Sequence, residues 1–238
     1  MFPSPRTLLR YGALALAGLL LTQPCSASTV AQTRSREWLQ HYFQNPQPER
    51  FVPAMYELSR TDYFGLPGHA MIGIGFVASL FRDNPDLIDE WLLYCRDLPV
   101  REARIVVAAL WYSEYPKANE WLRLYASAVK NDDLRADLFR IADHPPSWSN
   151  QLADSRPALY LQWGRFLATG DEAVLHKIFE TMPQVDDLSL RDRWWLACKM
   201  AEQDAAISWC LDHWDQQPLE VQANMELVLQ AAGDAVAE

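Results

Sequence analysis

Apolar side chains recur along this chain about once per helical turn. Leu87, Ile88, Trp91, Leu92 and Cys95 stand at i, i+1, i+4, i+5 and i+8. Ile105, Ala108, Ala109 and Tyr112 keep the spacing, as do Ala118, Trp121, Leu122 and Tyr125, and Leu159, Trp163, Phe166 and Leu167. Leu190, Trp194, Ala197, Cys198 and Ala201 form a further set, and Val221, Met225, Val228 and Leu229 the last. Each set lies on one stripe of a helix of 3.6 residues per turn. Period-two alternation is nowhere sustained, and no β-branched run is bounded by hairpin turns. The pattern predicts an all-α fold with helices over 34–44, 49–62, 69–83, 85–97, 99–114, 116–130, 132–143, 157–169, 171–182, 189–203, 204–214 and 217–233.

The breaks between these stretches read as helix ends. Asn84 before Pro85 is expected to N-cap the helix that follows. Thr169-Gly170-Asp171 offers a glycine where one helix stops and an aspartate where the next begins. Ser189 with Asp192 three residues on is a capping-box variant. Pro116, Pro157 and Pro218 also sit at helix starts, and His144-Pro145-Pro146-Ser147 opens a long loop to about Arg156 that divides the chain. Short loops make neighbouring helices antiparallel, so the helices are expected as hairpins stacked into an irregular α-solenoid or helical-repeat bundle.

Three echoes support a repeat: Glu37-Trp38-Leu39, Glu90-Trp91-Leu92 and Glu120-Trp121-Leu122. Helix pairs starting near 69, 99, 157 and 188 suggest a unit of about 30 residues. Over residues 69–215 this organisation resembles tetratricopeptide-type helical-repeat proteins, in architecture and without their Trp-x2-Leu-Gly-x2-Tyr run. Trp163-Gly164-Arg165-Phe166-Leu167-Ala168-Thr169-Gly170-Asp171 is similar to a stretch of uncharacterised exported bacterial helical proteins. That likeness implies a helical scaffold and brings no activity with it.

The N-terminus adds a compartment. Arg6 and Arg10 precede an apolar run from Tyr11 to Leu21, then Gln23-Pro24 and the small residues Ser26, Ala27 and Ser28. That order is a secretory signal over 1–28, with cleavage after Ala27 or Ala31 and a mature domain in the periplasm or outside the cell. The apolar run is too short for the ~20 residues of a spanning helix, and no later segment could cross a bilayer. Loss of Arg6 and Arg10 takes the formal charge from −10 to −12. Such an acidic chain is not expected to bind nucleic acid, and it allows a basic protein partner.

Candidate chemistry is sparse. His41, His69, His144, His176 and His213 show no metal-ligand spacing, and neither a Gly-x-Ser-x-Gly elbow nor a P-loop is present. No cofactor or metal is expected. Gly73-x-Gly75 lies in an apolar helix without a preceding strand, and small residues there would let another helix backbone approach closely. Asp132-Asp133 and Asp186-Asp187 precede helix starts, where the helix dipole favours them. The loop Thr61-Asp62-Tyr63-Phe64-Gly65-Leu66-Pro67-Gly68-His69 mixes an acid, aromatics and a histidine. Asp62, Tyr63 and His69 are therefore candidate partner-binding residues, and turn chemistry with Tyr63 and Phe64 in the core is the competing reading. Trp148, in the Pro-Pro loop, is a further candidate contact. Cys198 and Cys210 lie about equally far from a turn near Asp204 on expected core stripes, which places them within disulfide reach, with two buried free thiols as the alternative. Cys95 is expected as a buried thiol. Recognition of a protein, as a scaffold, accessory subunit or inhibitor, is the expected function. An envelope-polymer hydrolase and a purely structural role are the alternatives.

Overall fold

The computed structural model describes residues 26–128, 132–144 and 155–237. The charged and apolar parts of the expected leader, and Trp148, lie outside them. Among the described residues there are twelve α-helices and no strand. They are α1 (Ser26–Gln40), α2 (Phe51–Ser59), α3 (His69–Asp83), α4 (Ile88–Cys95), α5 (Val100–Tyr112) and α6 (Ala118–Ala128), then α7 (Asp132–Ala142), α8 (Arg156–Thr169), α9 (Glu172–Thr181), α10 (Leu190–Ala201), α11 (Asp204–His213) and α12 (Leu219–Ala237). The all-α expectation holds, and each expected stretch overlaps one helix, with α1 beginning at Ser26 rather than at 34 and α12 running on to Ala237. No described helix is long and apolar enough to cross a membrane.

Two helices are buried on nearly every side, which is what an element wrapped by others requires. In α8, Ala158 through Gly164 and Phe166 through Ala168 are all buried; in α3 the same holds for Gly75 through Phe81. These two make the most extensive contact among the described helices, and α5 packs on α3 while α9 packs on α8. Their backbones touch. A Cβ built on Gly75 would lie 1.9 Å from the Leu161 carbonyl oxygen, and one on Gly164 would lie 2.0 Å from that of Ile72. The close approach expected at Gly75 is therefore real, and Gly164 supplies its counterpart on the facing helix. Gly73 serves differently: its missing Cβ makes room for the Phe64 ring. Because the dominant contact joins helices from the two halves of the chain, the molecule is a helical bundle. A stacked array would place its main contacts between sequence neighbours.

The helix ends follow local chemistry. Gly170 closes α8 in the left-handed region at φ 64°, and the Asp171 carboxylate accepts from the Ala173 N–H to open α9. Ser189 Oγ accepts from the Asp192 N–H at 3.2 Å, the N-cap bond of a capping box, and its hydroxyl donates to Asp192 Oδ2 at 2.6 Å. Asn84 departs from expectation. Its Nδ2 donates to the Leu80 carbonyl at 2.9 Å, so it finishes α3 and leaves the next start to a 3-10 turn at Pro85–Leu87. Asp89 joins α4 to α6: it accepts from Trp121 Nε1 at 2.6 Å, Lys117 Nζ at 2.9 Å and the Tyr115 hydroxyl at 3.0 Å. Those bonds, Lys117's first, hold its carboxyl below the usual value.

The stripe expected on α10 is rotated. Leu196, Ala197 and Met200 are buried, whereas Leu190 is 73% exposed and Trp194 is at the surface. On α11 the buried positions are Ala206, Trp209 and Cys210, with Leu211 exposed. Packing of α10 on α12, where Arg193 Nη1 donates to Asn224 Oδ1 at 3.1 Å, selects the neighbouring face. Cys198 is consequently half-buried, Cys210 fully buried, and both are free thiols, as is the buried Cys95. Burial pushes the Cys95 and Cys210 thiols up to about 12. Iodoacetamide is therefore expected to label Cys198 in the native protein and the other two only after denaturation, which peptide mass spectrometry will read directly.

Candidate functional site

A cleft of about 580 Å³ opens where α1, the Tyr63–His69 segment, α3, α8 and α10 meet. Its size lies within the range of sites that hold small ligands or single anchoring side chains. Tyr63, His69, Trp163 and Trp195 give it an aromatic floor, and Leu66, Ile72 and Leu167 extend the apolar surface. Arg36 and Glu37 of α1 face Lys199 and Glu202 from the end of α10.

The floor is built by the loop singled out in the sequence. Arg101 of α5 clamps it: Nη1 pairs with Asp62 Oδ1 at 2.6 Å, Nη2 donates to the Thr61 carbonyl at 3.2 Å, and Nε pairs with buried Glu102 at 2.9 Å. The clamp and the 3-10 turn at Tyr63–Gly65 turn Tyr63 and Phe64 inward, where both are buried. Gly68 then adopts φ 79°, a left-handed conformation favoured by glycine, with Tyr160 and Trp195 rings packed where a Cβ would point. His69 starts α3 beneath them. Its ring stands edge-on to Tyr63, centroids 4.5 Å apart, and 5.6 Å from that of Trp195.

Electrostatically the interior is inclined to neutral side chains. Burial, with Lys199 and Arg36 nearby, lowers His69 to about 4, so its imidazole is uncharged at neutral pH. Burial raises the Tyr63 phenol to about 12. Arg36 rests over the Tyr63 ring at 5.5 Å. Lys199 pairs with Glu202, which also accepts from Gln40 Nε2 at 2.7 Å. Two buried polar atoms of the lining have no hydrogen-bond partner among the described residues, His69 Nδ1 and Gln203 Oε1. Gln203 Nε2 donates to the Gln40 carbonyl at 3.1 Å, which fixes which way its amide points.

Of the candidate residues, Tyr63 and His69 line this cleft, Asp62 is engaged outside it by Arg101, and Trp148 is outside the described residues. Cys198 and Cys210 take no part in the lining. Sequence reasoning missed Arg36, Lys199 and Gln203, which reach the cleft from the ends of two distant helices. Trp195 carried a faint signal, because beside Trp194 it had to point to a different face. Among the described residues no three His, Cys, Asp or Glu side chains gather as a metal site would require. Comparisons with protein-family models, with curated proteins and with solved structures return no match.

Proposed function

We propose that this is an exported recognition protein whose cleft receives one anchoring side chain or terminus of a protein partner. The supporting observation is the cleft's composition: an aromatic floor, charges of both signs at its mouth, and two buried polar atoms awaiting partners. Buried polar groups are rarely left unpaired, because each costs ~1–3 kcal/mol, so a ligand that satisfies them gains affinity and specificity together. Aromatic residues supply the large rigid contact area on which such anchors depend. His69 Nδ1 donates to no carboxylate, unlike a histidine held ready as a general base.

Random-peptide phage display on the immobilised protein tests this. Selected peptides are expected to bind in solution, to lose at least about tenfold in affinity on Trp195→Ala, as hot-spot aromatics do, and to protect Tyr63–Ile72 and α10 from hydrogen exchange. Enrichment that is the same for wild type and Trp195→Ala would remove the cleft from the recognition reading.

The Tyr63–His69 pair inside one cleft favours a second reading, an enzyme on a helical scaffold acting on an envelope polymer. It requires turnover of peptidoglycan fragments by the wild type that His69→Gln abolishes.

A further inference from the structure

We infer that the cleft binds the free carboxy-terminal residue of a peptide, its carboxylate on Arg36, its backbone amide against Gln203 and His69, and an apolar side chain on the aromatic floor. The inference rests on the recognition reading above and names its ligand.

The carboxylate follows from Arg36. Its guanidinium lies over the Tyr63 ring, and no carboxylate of the described residues stands within ion-pair reach of it. The other cation of the cleft, Lys199, is already paired with Glu202. A guanidinium presents a planar fork that matches a carboxylate in a bidentate pair, and the cation–π contact with Tyr63 holds Arg36 at the cleft. An arginine in this cleft without an ion-pair partner among the described residues is the place where an anion would be received. The chain's net charge also repels anions at large, so the anion must bring other binding energy with it.

That energy comes from apolar burial. Ile72, Leu167, Trp163 and Trp195 give the cleft walls suited to an aliphatic or aromatic side chain rather than to a small inorganic anion. The unpartnered atoms specify what joins the two ends. Gln203 is 1% exposed, and its free Oε1 can only accept, so the ligand must present an N–H. His69 is 8% exposed, and its neutral ring can either donate to a carbonyl or accept from an N–H through Nδ1. A terminal peptide residue carries this set within a few atoms: a carboxylate, an amide N–H, the preceding carbonyl and a side chain. A fatty or aromatic acid carries the first and last and leaves Gln203 unsatisfied.

Isothermal titration calorimetry of the intact protein separates the possibilities. The probes are N-acetylated hexapeptides ending in leucine or phenylalanine, the same peptides with amidated ends, and 4-phenylbutyrate as an acid without an amide. The free-acid peptides are expected to bind about tenfold or more tighter than their amides, the size of effect a charge-assisted hydrogen bond gives. Arg36→Gln, at an exposed position, is expected to erase that difference, and Arg36→Lys to restore part of it. If the amides bind as well as the acids, and Trp195→Ala abolishes both, the carboxylate assignment falls while recognition of peptides stands. If 4-phenylbutyrate matches the free-acid peptides, the peptide terminus is overturned as the source. If none of the peptides binds and display also yields no cleft-dependent peptide, the recognition reading falls with it.

Discussion

Gly75→Ala and Gly164→Ala are each expected to destabilise the protein by about 2 kcal/mol or more, against the sign that helix propensity alone would give. Replacing a mid-helix glycine by alanine normally stabilises a helix by up to ~1 kcal/mol. At these two sites the added carbon would stand 1.9 Å from the Leu161 carbonyl oxygen and 2.0 Å from that of Ile72. The obstacle is backbone, which no rotamer change can move aside, so α3 and α8 must separate. Overpacking of this kind costs ~1–3 kcal/mol and sometimes more, and here it also loosens the contacts on both sides of the crossing. Gly233 provides the control, because nothing lies within 4 Å of its Cβ position. Gly233→Ala should leave stability unchanged or raise it by up to ~1 kcal/mol. Urea unfolding followed by circular dichroism reads all three, and in a domain of this size a 2 kcal/mol loss lowers Tm by roughly 4–8 °C. Wild-type stability in Gly75→Ala would mean that the two backbones are not in contact. Ile72 and Trp163 belong both to this crossing region and to the cleft, so the destabilised variants should also lose ligand affinity.

The reason for this outcome also explains how much of the molecule could be read from its sequence. Helices report themselves locally: each carries its own apolar stripe and stop signals, so every expected stretch overlaps a helix and the caps at Gly170, Asp171 and Ser189 fall where their residue types direct. Partners of helices are not local. Glycine in α3 announced a close neighbour without naming it, and only the structure identifies α8, from the far half of the chain, as that neighbour. The stripe on α10 failed for a related reason. Its tryptophans and alanines allow two adjacent faces to count as apolar, and contact with α12 chooses between them. A small part of the cleft was legible because Tyr63 and His69 share one unusual loop. Arg36, Lys199 and Gln203 are ordinary polar residues at helix ends until the bundle closes and sets them around that loop.

Acidification from pH 7 to pH 4 is expected to cost the wild type on the order of 3 kcal/mol through His69 alone. The sign follows from the direction of its shift. Burial first, then the charges of Lys199 and Arg36, lower the folded-state value from 6.5 to about 4. Between these limits the unfolded chain binds a proton that the folded chain refuses, so protonation draws the equilibrium toward unfolding. The contribution is therefore complete above about pH 6.5 and is lost as pH falls toward 4. The carboxyls of Asp89 and Asp192 are held below their ordinary value of 3.8 by hydrogen bonds, so their own losses lie lower on the pH scale. Chemical denaturation at half-unit intervals from pH 7.5 to 4 is the measurement, run on the wild type and on His69→Gln. The variant removes the titrating group and keeps a polar side chain; its absolute stability is immaterial, because the comparison is between slopes. A wild-type curve steeper than the variant's between pH 6.5 and 4 is the expected result, and parallel curves would mean that His69 takes up its proton in the folded state as readily as in water. In that case the neutral interior assigned to the cleft, and the pairing of His69 with an uncharged amide, would both have to be given up.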